Sequence, residues 1–246
     1  VARTEYWVEV LDRGSRAGGG VRITRQYVMT AAHCLTGEPS RWRLTVRLPD
    51  DSTVEAGVVE ERPEVDLTLL KLNLPPEKSG IPRPSTDRAA RGDLWEGTYR
   101  PEQNAPFLDG QVSKVVPNHQ LPNGTAITAI QLLVNQLLGD YHGYSGSPVE
   151  RCTKFRSPAV LGVILQQYME RIDSHSRHSS NVLFAATIRE AMSGFSLLLK
   201  PFAEDPDDPI PPGDSNSSAP SDSRWGNNGW MAPLHAIQKR LWGDKR

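Results

Sequence analysis

Three short stretches of this 246-residue chain carry side chains suited to nucleophilic and acid–base work. His33 lies in Thr30-Ala31-Ala32-His33-Cys34, after a hydrophobic run. Asp66 opens Asp66-Leu67-Thr68-Leu69-Leu70-Lys71-Leu72, and Ser145 stands within Gly143-Tyr144-Ser145-Gly146-Ser147-Pro148-Val149. Each alone has an ordinary explanation: a core histidine, an acidic strand-entry cap, a serine in a glycine turn. Taken together, they match what acyl transfer at neutral pH requires. That chemistry needs a hydroxyl nucleophile, a base that titrates near neutrality and an acid that fixes the base's tautomer. It also needs backbone N–H groups aimed where an oxyanion develops, and flanking glycines allow the tight turn that presents them.

Other chemistries find less support. His175 and His178 are spaced by three in a polar stretch expected to be an exposed loop, with no Cys or carboxylate framework around them, so no metal is expected. Gly18-Gly19-Gly20 is read as preceding a strand, not a helix, which argues against a phosphate cradle, and no cofactor is expected. Lys+Arg of 28 against Asp+Glu of 29 leaves a net charge of −1 and no electrostatic case for nucleic acid or an anionic membrane. No apolar run approaches the roughly 18 residues of a membrane span. The first residues do not read as a signal sequence, although a cleaved one would leave no trace. Cys34 and Cys152 are the two cysteines. They could bridge only if their Cα atoms come within about 7 Å; the plainer reading is two buried free thiols.

The elements that must position these residues read as short strands between turns. Strand-like runs cover Tyr6–Leu11, Val21–Ile23, Tyr27–Met29, Trp42–Leu48, Thr53–Val59 and Leu67–Leu72, and resume at Gly110–Val116, Thr125–Val134, Val149 and Val160–Leu165. A loop rich in Pro, Gly and charge is expected from Asn73 to about Gln103. Twenty Gly and twenty Pro suit such a turn-rich all-β protein, a sandwich or barrel. Ala203–Ser223 holds six acidic residues, five prolines and no Lys or Arg, and is expected to be a disordered linker. Arg224–Arg246 is basic and contains Trp225, Trp230 and Trp242; Pro233 could open a short helix there.

The three motifs, in the order His33, Asp66, Ser145, resemble those of trypsin-like (chymotrypsin-fold) serine peptidases, and the similarity spans roughly Tyr6 to Met192. The resemblance implies two six-stranded antiparallel β-barrels with a cleft between them: an N-terminal barrel over 1–90 with His33 and Asp66, and a C-terminal barrel over 91–202 with Ser145. A linker (203–223) and a tail (224–246) would follow. It implies His33 as general base then acid, Asp66 as the residue orienting the imidazole, Ser145 as nucleophile, and the N–H groups of Gly143 and Ser145 as the oxyanion hole. The pocket would draw on Gly139, Asp140, Leu165, Gln166 and Gln167. Asp140 could form a negative floor, and a basic P1 residue is expected ahead of a small or polar one.

The departures from the family pattern are informative. Tyr144 stands where animal digestive members have the Asp that pairs with a freed N-terminus, so activation by that ion pair is not expected. No Cys precedes Cys34, and the partner of a cysteine near Cys152 is also missing, which implies free thiols and a bacterial, cytoplasmic branch, with a secreted mature form still open. The expectation is a serine endopeptidase acting on protein or peptide. It would be the protease part of a regulated bacterial system, defence being one such setting, with a regulatory domain or partner acting through 203–246. The alternatives are a latent or non-catalytic binding module with this fold, and an esterase using the same triad.

Overall fold

The computed structural model describes residues 6–74, 84–138, 140–152, 158–171 and 177–199. Twelve strands form two closed antiparallel barrels of six. The first is built from β1 (Trp7–Asp12), β2 (Ser15–Arg22), β3 (Tyr27–Ala31), β4 (Leu44–Arg47), β5 (Thr53–Arg62) and β6 (Leu67–Leu72), in the order β1-β2-β3-β6-β5-β4. The second comprises β7 (Leu94–Gly97), β8 (Leu108–Gln120), β9 (Ala126–Val134), β10 (Pro148–Arg151), β11 (Val160–Arg171) and β12 (Arg177–Thr187), in the order β10-β11-β12-β9-β8-β7. Helices α1 (Ile188–Ser193) and α2 (Ser196–Leu199) follow. No helix among the described residues is long and apolar enough to cross a membrane.

Side-chain alternation explains why β6 is a nearly unbroken apolar run. Leu70 and Leu72 point into the first barrel with Val8, Val10, Val28 and Val46. Leu67 and Leu69 point the other way, into a core shared with Val163, Leu165, Phe184, Ala186 and Phe195 of the second half. A strand buried on both faces needs apolar residues at both parities. The second barrel closes on its own core around Trp95, Leu108, Ile130, Leu132 and Leu161. The shared core is what brings the two barrels together along one cleft.

Four expectations need correction. β7 lies inside the stretch expected to be loop: only four residues long, it shows one anchoring signal, the fully buried Trp95. β12 begins at Arg177, within the polar segment around His178 expected to be an exposed loop, because residues 177–179 continue the β11–β12 hairpin by pairing with 171–169. Gly18-Gly19-Gly20 lies within β2 rather than before a strand. Cys34 is buried but Cys152 is exposed, against the reading of two buried thiols; both are free. His175, the linker, the tail and the helix at Pro233 lie outside the described residues.

Candidate active site

Strand pairing by itself makes His33 and Asp66 neighbours. β3 and β6 pair antiparallel up to Ala31 opposite Leu67, so the residues just beyond, 32–33 and 66, leave the sheet side by side. The Ala32 N–H donates to the Asp66 carbonyl at 3.0 Å, continuing the ladder. The Asp66 carboxylate then takes two bonds from His33: its Oδ1 accepts the backbone N–H at 2.9 Å and its Oδ2 lies 2.7 Å from Nδ1. This double grip fixes the ring's rotation and places a proton on Nδ1, leaving Nε2 as the basic nitrogen. Asp66 holds the left-handed conformation, φ 58°, at the end of the 3-10 turn Pro63–Val65. A non-glycine residue there costs on the order of 1 kcal/mol, and the surrounding bonds must hold it.

Ser145 sits at the crest of a double turn before β10. The Tyr144 N–H donates to Tyr141 O at 3.3 Å, and the Ser147 N–H and hydroxyl both donate to Tyr144 O, at 3.2 and 2.6 Å. Gly143 and Gly146 take φ of +87° and +83°, values that carry little steric cost only for glycine. Beyond the turn, Gly146 N–H to Ile164 O (2.7 Å) and Ile164 N–H to Ser147 O (2.9 Å) fasten it to β11. Across the cleft, Gly19 N–H of β2 donates to Ser145 O at 2.8 Å, and the Thr30 hydroxyl donates to Gly19 O at 2.7 Å. Among the described residues, the N–H groups of Gly143 and Ser145 have no protein acceptor, and the Ser145 hydroxyl has no hydrogen-bond partner. Such bonds are often long before substrate binds.

His33, Asp66 and Ser145 line one cavity of about 460 Å³ with Asp140, Leu165, Gln166 and Gln167. Asp140 is exposed, and its Oδ1 accepts the His142 N–H at 2.9 Å. Leu165 is buried, while Gln166 and Gln167 are partly exposed. Gly139 lies outside the described residues. A second cavity, about 340 Å³, opens on the other side of Ser145 and is lined by Arg16, Ala17, Cys34 and Gly143. Tyr144 is buried and donates its hydroxyl to Pro106 O at 2.7 Å. Burial raises its pKa, so it stays a neutral donor that ties the 101–107 loop to the Ser145 turn.

Sequence reasoning passed over three groups that this geometry brings forward. Gly18 and Gly19 admit the turn to β2: a Cβ on Gly18 would stand 2.5 Å from Cys34 Sγ, and one on Gly19 would stand 2.9 Å from Ser147 Cβ. Their bare backbone was the available signal. Arg16, bound to the buried Glu9 at 2.5 Å, edges the second cavity. Asn123, at the β8–β9 tip, lines the first.

Several solved structures share the fold. A structure of the HtrA-type protease AlgW with a decapeptide is 22% identical, with a TM-score of 0.58, over 75% of this chain and 52% of that one. The Rv3671c protease in its inactive form is 19% identical, with a TM-score of 0.56, over 79% of this chain and 91% of that one. A mutant inactive form of Rv3671c from M. tuberculosis H37Rv gives 20%, 0.55, 75% and 82%. The chain thus spans about half the length of the AlgW chain. No curated protein matches. Residues 18–154, more than half of the chain and inclusive of His33, Asp66 and Ser145, match the family described as a trypsin-like peptidase domain. With two six-stranded barrels and that match, the chain belongs to the trypsin-like peptidases, a family of serine endopeptidases.

Proposed function

We propose that the chain cleaves peptide bonds through an acyl-enzyme formed on Ser145, with His33 and Asp66 completing the triad. The observation that carries this reading is the pair of hydrogen bonds from His33 to the Asp66 carboxylate in a cavity that also receives Ser145. His33 Nε2 takes the hydroxyl proton as Oγ attacks the scissile carbonyl. Asp66 keeps the Nδ1 proton in place and stabilises the imidazolium without being protonated itself. The free N–H groups of Gly143 and Ser145 receive the oxyanion, which each such donor stabilises by about 3 kcal/mol. His33 then protonates the departing amine, and a water deprotonated by the same ring releases the acyl group.

For substrate, we infer a peptide with a basic P1 residue. Support comes from Asp140, the one carboxylate besides Asp66 among the described residues lining the cavity that holds the triad, with Gln166 and Gln167 in the same lining. Profiling against a peptide library tests it: cleavage confined to sites after acidic or large aromatic residues would refute the preference. We further propose that the peptidase works within a regulated bacterial system, defence being the setting we favour, and that residues 203–246 serve its control. Tyr144 in place of the ion-pairing Asp removes the zymogen switch of animal relatives, so restraint must come from elsewhere. Deleting 203–246 and finding activity and assembly unchanged would dismiss that role.

The decisive experiment on the triad is intact mass after treatment with a fluorophosphonate, with Ser145→Ala as control. The expected result is one adduct on the wild type and none on the variant. An unlabelled wild type, or equal labelling of both, overturns the reading.

A further inference from the structure

We propose that Asn123, in the second barrel, is a positioning residue for the triad: it pins the turn that carries Asp66 and so sets where the His33 ring stands. The inference rests on the triad reading above and extends it across the cleft.

Its starting point is how little holds the Asp66 carboxylate. Both of its hydrogen bonds come from His33, and among the described residues no other group donates to it. The carboxylate therefore cannot orient His33 from an independent anchor of its own. Its position is inherited from the Asp66 backbone, which holds a left-handed conformation at the end of a turn of three residues. A short turn ending in an unfavourable conformation keeps its shape only if its neighbours impose it.

Asn123 is such a neighbour. Its Nδ2 donates to Glu64 O at 3.0 Å and to Pro63 O at 3.4 Å. Pro63 O is also the acceptor of the Asp66 N–H, at 3.3 Å, so the amide grips the carbonyl that closes the turn. The partners themselves orient the amide, since Oδ1 accepts the Thr125 N–H at 2.9 Å while Nδ2 faces two carbonyls. The hairpin tip behind it is built tightly. Leu121 N–H donates to Thr125 O and Gly124 N–H to Leu121 O, each at 2.9 Å, and Gly124 takes φ +86°. Its base is sunk in the shared core through Leu121 and Ile127. On the opposite flank, Arg62 pairs with Glu64 and donates to Gly194 O after α1. The turn that carries Asp66 is thus gripped on two sides by the second half of the chain.

Nδ2, as a primary amide nitrogen, carries two N–H donors for the two backbone carbonyls it meets. A serine keeps the local turn by accepting the Thr125 N–H but has a single, shorter donor. An aspartate would set a negative charge against two carbonyl oxygens.

The test uses the full chain as wild type, Asn123→Ser and Asn123→Asp, with thermal midpoints recorded so that assays run on folded protein. The first readout is the second-order rate of inactivation by diisopropyl fluorophosphate, a probe too small to reach the rest of the cavity. The second, in a Ser145→Ala background, is the downfield proton resonance of the His33 Nδ1–H. Expected are a fall in inactivation rate of about fivefold for Asn123→Ser and about fiftyfold for Asn123→Asp, within the range a displaced catalytic group costs. A shifted or broadened resonance should accompany it, with kcat lowered and KM little changed on peptides. Inactivation within about twofold of wild type, with the resonance unmoved, overturns the inference. A rise in KM alone also overturns it, by making Asn123 a substrate contact. If the wild type itself is not inactivated, the triad reading fails, and this inference falls with it.

Discussion

Asp66 and the two cysteines each turn a local observation into a measurable consequence. In Asp66→Asn, the amide N–H₂ replaces one acceptor in the pair that grips His33, and the ring is driven to the tautomer whose Nε2 carries the proton. Steady-state assays should show kcat down by about 10⁴-fold with the fold intact by circular dichroism. The thiols should separate as sharply. Burial, and then the nearby Asp66 charge, push the Cys34 pKa up to about 12, while Cys152 is exposed. Thiolate is the reactive form, so iodoacetamide at neutral pH should alkylate Cys152 alone in the native chain and both residues in denaturant. Peptide mapping checks it; native labelling of Cys34 would contradict its burial against Ser145 O.

At the scale of elements, the close approach of β2 to the Ser145 turn is the feature most sensitive to substitution. A Cβ on Gly146 would meet Gly19 O at 2.2 Å and Thr30 Oγ1 at 2.5 Å, with φ already positive. Gly146→Ala should therefore lower stability by about 3 kcal/mol or prevent folding. Gly19→Ala, whose Cβ meets Ser147 Cβ at 2.9 Å and Ser147 N at 3.0 Å, should lower it by about 1–2 kcal/mol and reduce kcat by displacing the turn. Denaturant titration and kinetics on the same preparations test both. These glycines were in plain view in the sequence, yet their purpose was not. A run of three glycines is locally compatible with a turn, a linker or a strand, and only the element packed against it decides. β7 escaped notice for a similar reason: four residues flanked by loop offer too short a pattern, and what makes them a strand is pairing with β8 and β10.

Across the whole molecule, stability should depend on pH through His119. Its ring stacks on Phe184 of β12 with centroids 3.9 Å apart, its Nε2 lies 2.6 Å from Gln166 Nε2 of β11, and Ile127 of β9 is its pairing partner. No carboxylate or cation is found among these neighbours. The neutral ring can accept the amide N–H, and the protonated ring cannot. Desolvation lowers the His119 pKa below 6.5, so the folded state binds this proton less readily than the unfolded chain. Its contribution is thus fully present above pH 6.5 and is lost as pH falls from there through the lower folded value. Comparing wild type with His119→Gln by denaturant midpoint at about pH 8 and about pH 5 should show a steeper acid loss in the wild type. Parallel losses would remove His119 as the cause.

By itself, the sequence determined the peptidase family and the class of fold. His33, Asp66 and Ser145 sit in motifs whose local spacing is tied to strand ends and a glycine turn, and the nearly unbroken apolar runs along Tyr27–Ala31 and Leu67–Leu72 mark strands buried on both faces. Such signals are legible because they depend on residues only a few positions apart. The tertiary structure alone decided how the halves are locked: Gly19 under Ser145, Asn123 on the turn before Asp66, Arg62 on Gly194. Those partners lie 59 to 132 residues apart. Their contacts exist only once both barrels have closed and shared a core, and no periodicity in a single chain encodes which backbone carbonyl a distant amide will reach.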